Sequence, residues 1–222
     1  NGATGAHAMT IIGILGGGQL GRMLAQAGLP LGLTCRFLDP DPGAVAAAVG
    51  EVIHAHYDDP AGQARFAAEC AAITWEFENV SLAAAQALQA RVPVRPGVAA
   101  LAAKQDRLDE KEFLSELGIA TAPFAPVSSR PELDQAIAIF GLPAVLKTRR
   151  EGYDGKGQAI LRTAADVDAA WARLSSVPLI LEGFVAFVRE CSILAVRSAE
   201  GEIRFWPLVE NEHRNGLSLI HI

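Results

Sequence analysis

Between Met9 and Arg95, short apolar runs alternate with stretches of helical periodicity, and this alternation constrains the fold more than any other feature. Thr10–Leu15, Thr34–Leu38, Glu51–His56 and Ala71–Phe77 read as strands. Leu20, Met23, Leu24 and Ala27 recur at helical spacing until Pro30, and Ala61–Cys70 and Leu82–Ala90 continue the helical pattern. Apolar strands separated by helices predict a parallel sheet buried on both faces. Arg91–Gly97 holds two prolines and a glycine, which places the expected end of the first domain at residue 96.

The pattern then changes, and residues 97–216 read as a second domain of α+β type. Lys104–Leu117 is an amphipathic helix stopped by Gly118, and Pro123–Val127 is extended. Ser129 and Glu132 form a capping-box start for a helix that Gly141 ends. Strands follow at Ala144–Lys147 and Ala159–Arg162, then a helix opened by Thr163 and a strand at Leu179–Glu182. Arg189–Arg197 and Glu202–Leu208 read as two strands turning at Glu200-Gly201. Asn211–Gly216 reads as a polar loop and Leu217–Ile222 as a short apolar tail. Residues 1–8 and 217–222 are expected to be non-native or disordered ends. Strands left without partners predict that the domain continues past the sequence.

Half the residues are hydrophobic and a fifth are charged, which suits a packed core. A net charge of -6 argues against a nucleic-acid surface, which needs clustered Lys and Arg. No apolar run approaches the roughly 18 residues of a membrane span, and Asn1–Ala8 lacks the pattern of a secretion signal. Cys35, Cys70 and Cys191 stand far apart, as expected for reduced, buried thiols in a cytoplasmic protein rather than a disulfide framework or a zinc site. His54 and His56 share a strand face, but spacing supplies no third ligand.

Three segments carry chemistry. Gly16-Gly17-Gly18-Gln19-Leu20-Gly21 lies between a strand and a helix, where amide N–H groups can meet an anion. Asp39 ends the next strand, about where a ribose-binding acid sits in a dinucleotide fold. NAD binding and a simple tight turn both remain open on these residues. Lys147 ends an apolar strand and runs into Thr148–Gln158, with three glycines and further cations at Arg149, Arg150 and Lys156. A buried ammonium needs a partner anion, and a glycine-hinged cationic flap suits polyphosphate. Leu179–Glu182 ends in Glu-Gly-Phe-Val, where backbone groups could meet an adenine edge, and Glu190 could accept from ribose hydroxyls. Glu76 and Glu78 share a strand face; substrate binding is the better reading for Glu76 and a solvated or structural role for Glu78.

Taken together, Gly16–Arg22, Thr74–Val80, Gly152–Gln158 and Glu210–Gly216 resemble the 5-(carboxyamino)imidazole ribonucleotide synthase family of ATP-grasp ligases. The likeness spans roughly Met9 to Gly216. It implies an α/β protein with an N-terminal parallel-sheet (Rossmann-like, pre-ATP-grasp) domain followed by an incomplete α+β ATP-grasp domain. It implies that ATP and bicarbonate form carboxyphosphate, which carboxylates 5-aminoimidazole ribonucleotide in purine biosynthesis, within a cytoplasmic homodimer. By position, Lys147 and Gly152, Tyr153, Asp154, Gly155, Lys156, Gly157 and Gln158 would hold the ATP phosphates. Glu182, Gly183, Phe184 and Val185 would take adenine and Glu190 the ribose, with Lys104 or Arg107 and His213 completing the nucleotide site. Gly16, Gly17, Gly18, Gln19, Leu20, Glu76, Tyr153 and Asp154 would face the imidazole ribonucleotide; Lys147, Tyr153 and Asp154 would be the catalytic set.

The resemblance also implies Mg²⁺ on a Glu and an Asn-Glu pair expected beyond the end of this sequence; Glu210, Asn211 and Glu212 resemble such ligands in type but match the segment before His213, so they are not expected to hold the metal. A formate-dependent ribonucleotide transformylase is the near alternative, and an NAD-dependent oxidoreductase the distant one.

Overall fold

The computed structural model describes residues 10–152, 156–214 and 217–220. The chain divides into two compact units between Gln105 and Asp106, later than the proline-rich stretch suggested.

In the first unit β1 (Thr10–Leu15), β2 (Leu33–Asp39), β3 (Glu51–His54) and β4 (Cys70–Trp75) form a wholly parallel sheet ordered β3-β2-β1-β4. Helices α1 (Gln19–Gly28), α2 (Pro60–Ala67), α3 (Leu82–Gln89) and α4 (Val98–Gln105) complete it. Side chains of a strand alternate between faces, and the core divides accordingly. Leu15, Leu38 and Ile73 join Phe66, Leu88 and Leu101 on one face, while Ile14, Cys35 and Phe37 meet Ala25 and Ala46 on the other. Burying each large apolar side chain is worth about 1.5–3 kcal/mol, so both faces contribute. Leu101 of α4 sits in this core, which is why the unit runs past residue 96. Helix α2 begins at Pro60 because Asp59 accepts from the amides of Ala61 and Gly62, and it stops before the left-handed Glu69, so Cys70 opens β4 instead of closing the helix.

The second unit starts with α5 (Arg107–Glu116). The single helix expected over Lys104–Leu117 is two helices broken at Asp106, which leaves α4, becomes the N-cap of α5 and accepts from Leu108 N. Next come β5 (Phe124–Val127), α6 (Arg130–Phe140), β6 (Ala144–Thr148), β7 (Gln158–Leu161), α7 (Ala164–Leu174) and β8 (Leu179–Gly183). Their antiparallel sheet is ordered β5-β8-β6-β7. Leu133 and Ala136 of α6 and Val167 and Ala170 of α7 pack on Ala144, Leu146, Leu179 and Leu181. This leaves Lys147 and Glu182 on the opposite sheet face.

Beyond β8 the strands are β9 (Glu190–Ser192), β10 (Ala195–Arg197), β11 (Ile203–Phe205), β12 (Val209–Arg214) and β13 (Leu217–Ile220). The expected strand Arg189–Arg197 is thus two strands in different sheets, with β9 pairing β12 and β10 pairing β11. The expected polar loop at 211–216 and apolar tail are corrected as well: Val209–Arg214 is a strand, and 217–220 pairs with it. Asn211 lies opposite Glu190 and donates Nδ2 to Glu190 Oε1 at 2.9 Å and to Ser192 Oγ at 2.6 Å. That cross-strand polar pairing outweighs the loop-like composition. Cys35 is buried and its thiol is pushed up by burial, but Cys191 is exposed, against the expectation of three buried thiols.

Candidate active site

Leu15 pairs with Leu38 on one side and Trp75 on the other, so β1 is where the sheet order reverses. In parallel sheets such a switch point opens a crevice at the carboxyl ends of the strands. Gly16 follows β1, Asp39 ends β2 and Glu76 follows β4, so all three meet there. Gly16 N donates to Leu38 O and Glu76 N to Leu15 O, which extends the ladder to the loop. The carboxylate of Glu76 then turns onto the start of α1. Its Oε1 accepts from Gly18 N at 3.0 Å and its Oε2 from Gly21 N at 2.5 Å. Asp39 does the same for Gly17, with Oδ2 2.6 Å from the amide, while its Oδ1 accepts from Asp41 N at 2.7 Å.

The glycines are needed here for space. A Cβ on Gly18 would lie 2.7 Å from Glu76 Oε1, and one on Gly21 would lie 2.8 Å from Oε2. Gly16 adds a left-handed backbone, φ +97°. A negative group at a helix N-terminus is favourable, and this chain supplies one itself. The amides of Gly17, Gly18 and Gly21, expected to face a ligand, are therefore engaged by carboxylates, whereas Gln19 and Leu20 are exposed. With both its oxygens engaged, Asp39 no longer fits the ribose-acid role. Sequence reading missed Tyr57: burial first, then the charges of Asp39 and Glu76, push its hydroxyl far above the ordinary range.

In the second unit Val145 lies opposite Glu182 and Lys147 opposite Ile180, so Lys147 and Glu182 are diagonal neighbours on one face. Lys147 Nζ stands 3.0 Å from Glu182 Oε2, and the glutamate is buried. The anion that the strand-end lysine required is Glu182. Lys111 of α5 reaches the same Oε2 at 3.5 Å and lies over the Phe124 ring, 5.6 Å from its centroid. Lys111 was missed in the sequence; it follows Arg107 by one helical turn, so both project from one face of α5. Gly183 N donates to Pro123 O at 2.8 Å, while Phe184 and Val185 are exposed. Glu190 is held by Asn211 in the β9–β12 pair.

The flap is rooted more firmly than its composition suggests. Arg107 N donates to Arg149 O at 2.9 Å, and its guanidinium donates to Thr148 O at 2.8 Å and Gly152 O at 2.5 Å. Asp106, buried, pairs with Arg149 Nε at 2.8 Å and Arg150 Nε at 3.2 Å. Burial alone would push the Asp106 carboxyl up, but hydrogen bonds from Arg149, Leu108 N and Arg150 outweigh it and hold the group below the ordinary aspartate value. Arg149 and Arg150 thus both pair with Asp106. Of the sequence-predicted Lys104 and Arg107, Arg107 is held at the flap root, and Lys104 is an exposed residue of α4 in the first unit. Gly157 (φ +70°) lets its carbonyl accept from Thr148 N at 2.8 Å, Gln158 lies opposite Lys147, and Lys156 is exposed. Tyr153, Asp154 and Gly155 lie outside the described residues, as does the side chain of His213. A cavity of about 500 Å³ beside the flap root is lined by Asp106, Thr148, Arg149, Arg150 and Pro178, but neither Lys147 nor Glu182 borders it.

Residues 9–105 match the ribonucleotide synthetase pre-ATP-grasp domain, and residues 112–221 match the ATP-grasp domain. The N5-carboxyaminoimidazole ribonucleotide synthase of Pseudomonas aeruginosa is 53% identical over 206 residues, covering 93% of this chain and 57% of that protein. The chain belongs to this family of ATP-grasp synthases. Its span is thus somewhat over half the length of the curated synthase. Crystallised synthases agree in fold. That of Thermus thermophilus gives a TM-score of 0.85 at 51% identity, covering 93% of this chain and 56% of its own. The Aspergillus clavatus synthase, in complex with ADP and 5-aminoimidazole ribonucleotide, gives 0.82 at 25% identity, covering 94% and 55%.

Proposed function

We propose that this chain provides the nucleotide-gripping face and the switch-point crevice of an enzyme that carboxylates 5-aminoimidazole ribonucleotide at the expense of ATP, with bicarbonate as the carbon source. The observation that carries the reading is the Lys147–Glu182 pair at the root of a glycine-rich flap, inside an ATP-grasp domain. Lys147 would leave Glu182 for the polyphosphate, and Arg107 would hold the flap's first carbonyls in place while the rest of the loop covers the nucleotide. The Glu182–Val185 segment would receive adenine, and Glu190 the ribose. Bicarbonate would attack the γ-phosphorus, releasing ADP and giving carboxyphosphate, whose carbonyl carbon the exocyclic amine of the ribonucleotide then takes as phosphate leaves. The exposed Gln19 and Leu20 support the crevice as the ribonucleotide's place, with Glu76 shaping the loop from within through its bonds to Gly18 N and Gly21 N. The related synthases, and the Aspergillus clavatus synthase in complex with ADP and 5-aminoimidazole ribonucleotide, support the substrate.

Magnesium, which the family implies, would neutralise polyphosphate charge. Among the described residues no three Asp, Glu, His or Cys side chains converge. Glu210 Oε1 lies 3.3 Å from Arg189, and Asn211 is turned to Glu190 and Ser192. The cytoplasm is the compartment proposed, in keeping with three free cysteines.

Phosphate release by the complete polypeptide tests the reading. It should require both bicarbonate and 5-aminoimidazole ribonucleotide; release that follows formate instead would assign a transformylase. Lys147→Ala should lower turnover by roughly a hundredfold or more, as loss of a charge-stabilising group does. Near-normal turnover would remove Lys147 from the site.

A further inference from the structure

Glu182 is a buried carboxylate whose Oε2 meets two ammonium groups, Lys147 at 3.0 Å and Lys111 at 3.5 Å. One anion for two cations leaves this three-residue cluster with a net positive charge, which suits an anionic visitor. It also creates a difficulty if only one lysine is considered. Once Lys147 turns to a phosphate, Glu182 would remain buried with its charge unopposed, and an uncompensated buried charge strongly opposes the state that contains it. Lys111 removes the difficulty. It comes from α5, not from the flap or its strand, and the Phe124 ring holds it in place independently of the glutamate. Phe124 lies opposite Glu182 in the β5–β8 pair, so ring, carboxylate and ammonium share one face.

We propose that Lys111 is a positioning residue that keeps Glu182 neutralised while Lys147 leaves it for a nucleotide phosphate, so that nucleotide-phosphate binding costs no unpaired carboxylate. The inference rests on the reading of Lys147 as a phosphate ligand given above. It names Glu182 as the internal stand-in for the phosphate and Lys111 as the residue that makes the exchange inexpensive.

Calorimetric titration of the chain with ADP and, separately, with adenosine tests it. Lys111→Met keeps the packing on Phe124 and removes the charge. It should weaken ADP binding roughly 10- to 100-fold, the effect expected when a buried carboxylate loses its remaining partner. Adenosine binding should change little, because it leaves Lys147 on Glu182. Lys111→Arg should restore most of the ADP affinity. On a Glu182→Gln background, Lys111→Met should no longer matter, since there is no carboxylate to neutralise. Equal losses for ADP and adenosine, or an undiminished Lys111→Met effect beside Glu182→Gln, would make Lys111 merely structural and overturn the proposal. If Lys147→Ala leaves ADP affinity intact, the underlying phosphate reading fails instead, and that outcome is separable from the Lys111 results.

Discussion

The two glycine-rich loops are held by opposite charges. At Gly16–Gly21 the chain presents amides, and carboxylates from Asp39 and Glu76 occupy them. At the flap the chain presents carbonyls, and the guanidinium of Arg107 occupies those of Thr148 and Gly152. The first loop lies on α1 at a parallel-sheet switch point and is packed around a side chain; the second springs from an antiparallel hairpin and is anchored at its root. Glycine content alone does not distinguish a cradle from a hinge. What distinguishes them is the sign of the groups that reach them from other elements. At the first loop, moreover, the chain's own carboxylates occupy amides that a ligand would otherwise meet.

Substitutions at the two loops test this contrast. The largest loss should come from Gly16→Ala, because the residue is left-handed and the new Cβ would lie 2.6 Å from Glu76 Cγ. Urea unfolding should show a loss of about 3 kcal/mol in the first unit, and a loss below about 1 kcal/mol would mean the cradle is loose. At the flap root, Asp106→Ala should cost about 2 kcal/mol, less than a fully buried pair, because Arg150 is 58% exposed. Its pH dependence has a definite sign. The Asp106 carboxyl is held below its ordinary value, so its contribution is present near neutrality and is lost as the pH falls below about 4. Stability curves of the wild type and Asp106→Asn should therefore converge in acid, and a constant gap down to pH of about 2 would remove the arginine clamp as the cause.

Glu76→Gln should cost about 1 kcal/mol, since one oxygen can still accept from the loop while the charge that favours a helix N-terminus is gone. The smallest effect concerns Tyr57, whose hydroxyl burial and two nearby carboxylates hold protonated. A group with a raised folded value destabilises the fold once the unfolded chain begins to ionise. The wild type should thus lose stability above a pH of about 10, and Tyr57→Phe should lose less, as alkaline denaturation followed by circular dichroism would show.

Much of this arrangement was legible beforehand. The strand-helix alternation predicted the parallel sheet, because burial on both faces demands apolar strands with no polar alternation. Thr163 and Asp166 form a complete capping box, whereas at α6 Ser129 accepts from Glu132 N but the Glu132 carboxylate reaches Ser128 N, one residue outside the expected box. Lys147 announced its need for an anion, although the sequence could not say that Glu182, 35 residues later, would meet it. The break at Asp106 was hidden, because Lys104–Leu117 keeps helical periodicity throughout. Arginines 43 and 44 residues away bury the aspartate and make it a cap. The strand at Val209–Arg214 was hidden for a related reason: Asn211 donates across the sheet to Glu190 and Ser192 of β9, partners that local composition does not reveal.

The sequence by itself determined the elements of the parallel sheet and of the β5–β8 sheet and their inward faces, since periodicity and caps are local and burial follows from them. It also carried the family, because several short motifs occur together in order. Which charges meet was decided only by the tertiary structure. Pairings such as Glu76 with the α1 amides, Asp106 with two arginines, and Glu182 with two lysines join residues far apart in the chain, and an ion pair depends on distance in space, which no local pattern encodes.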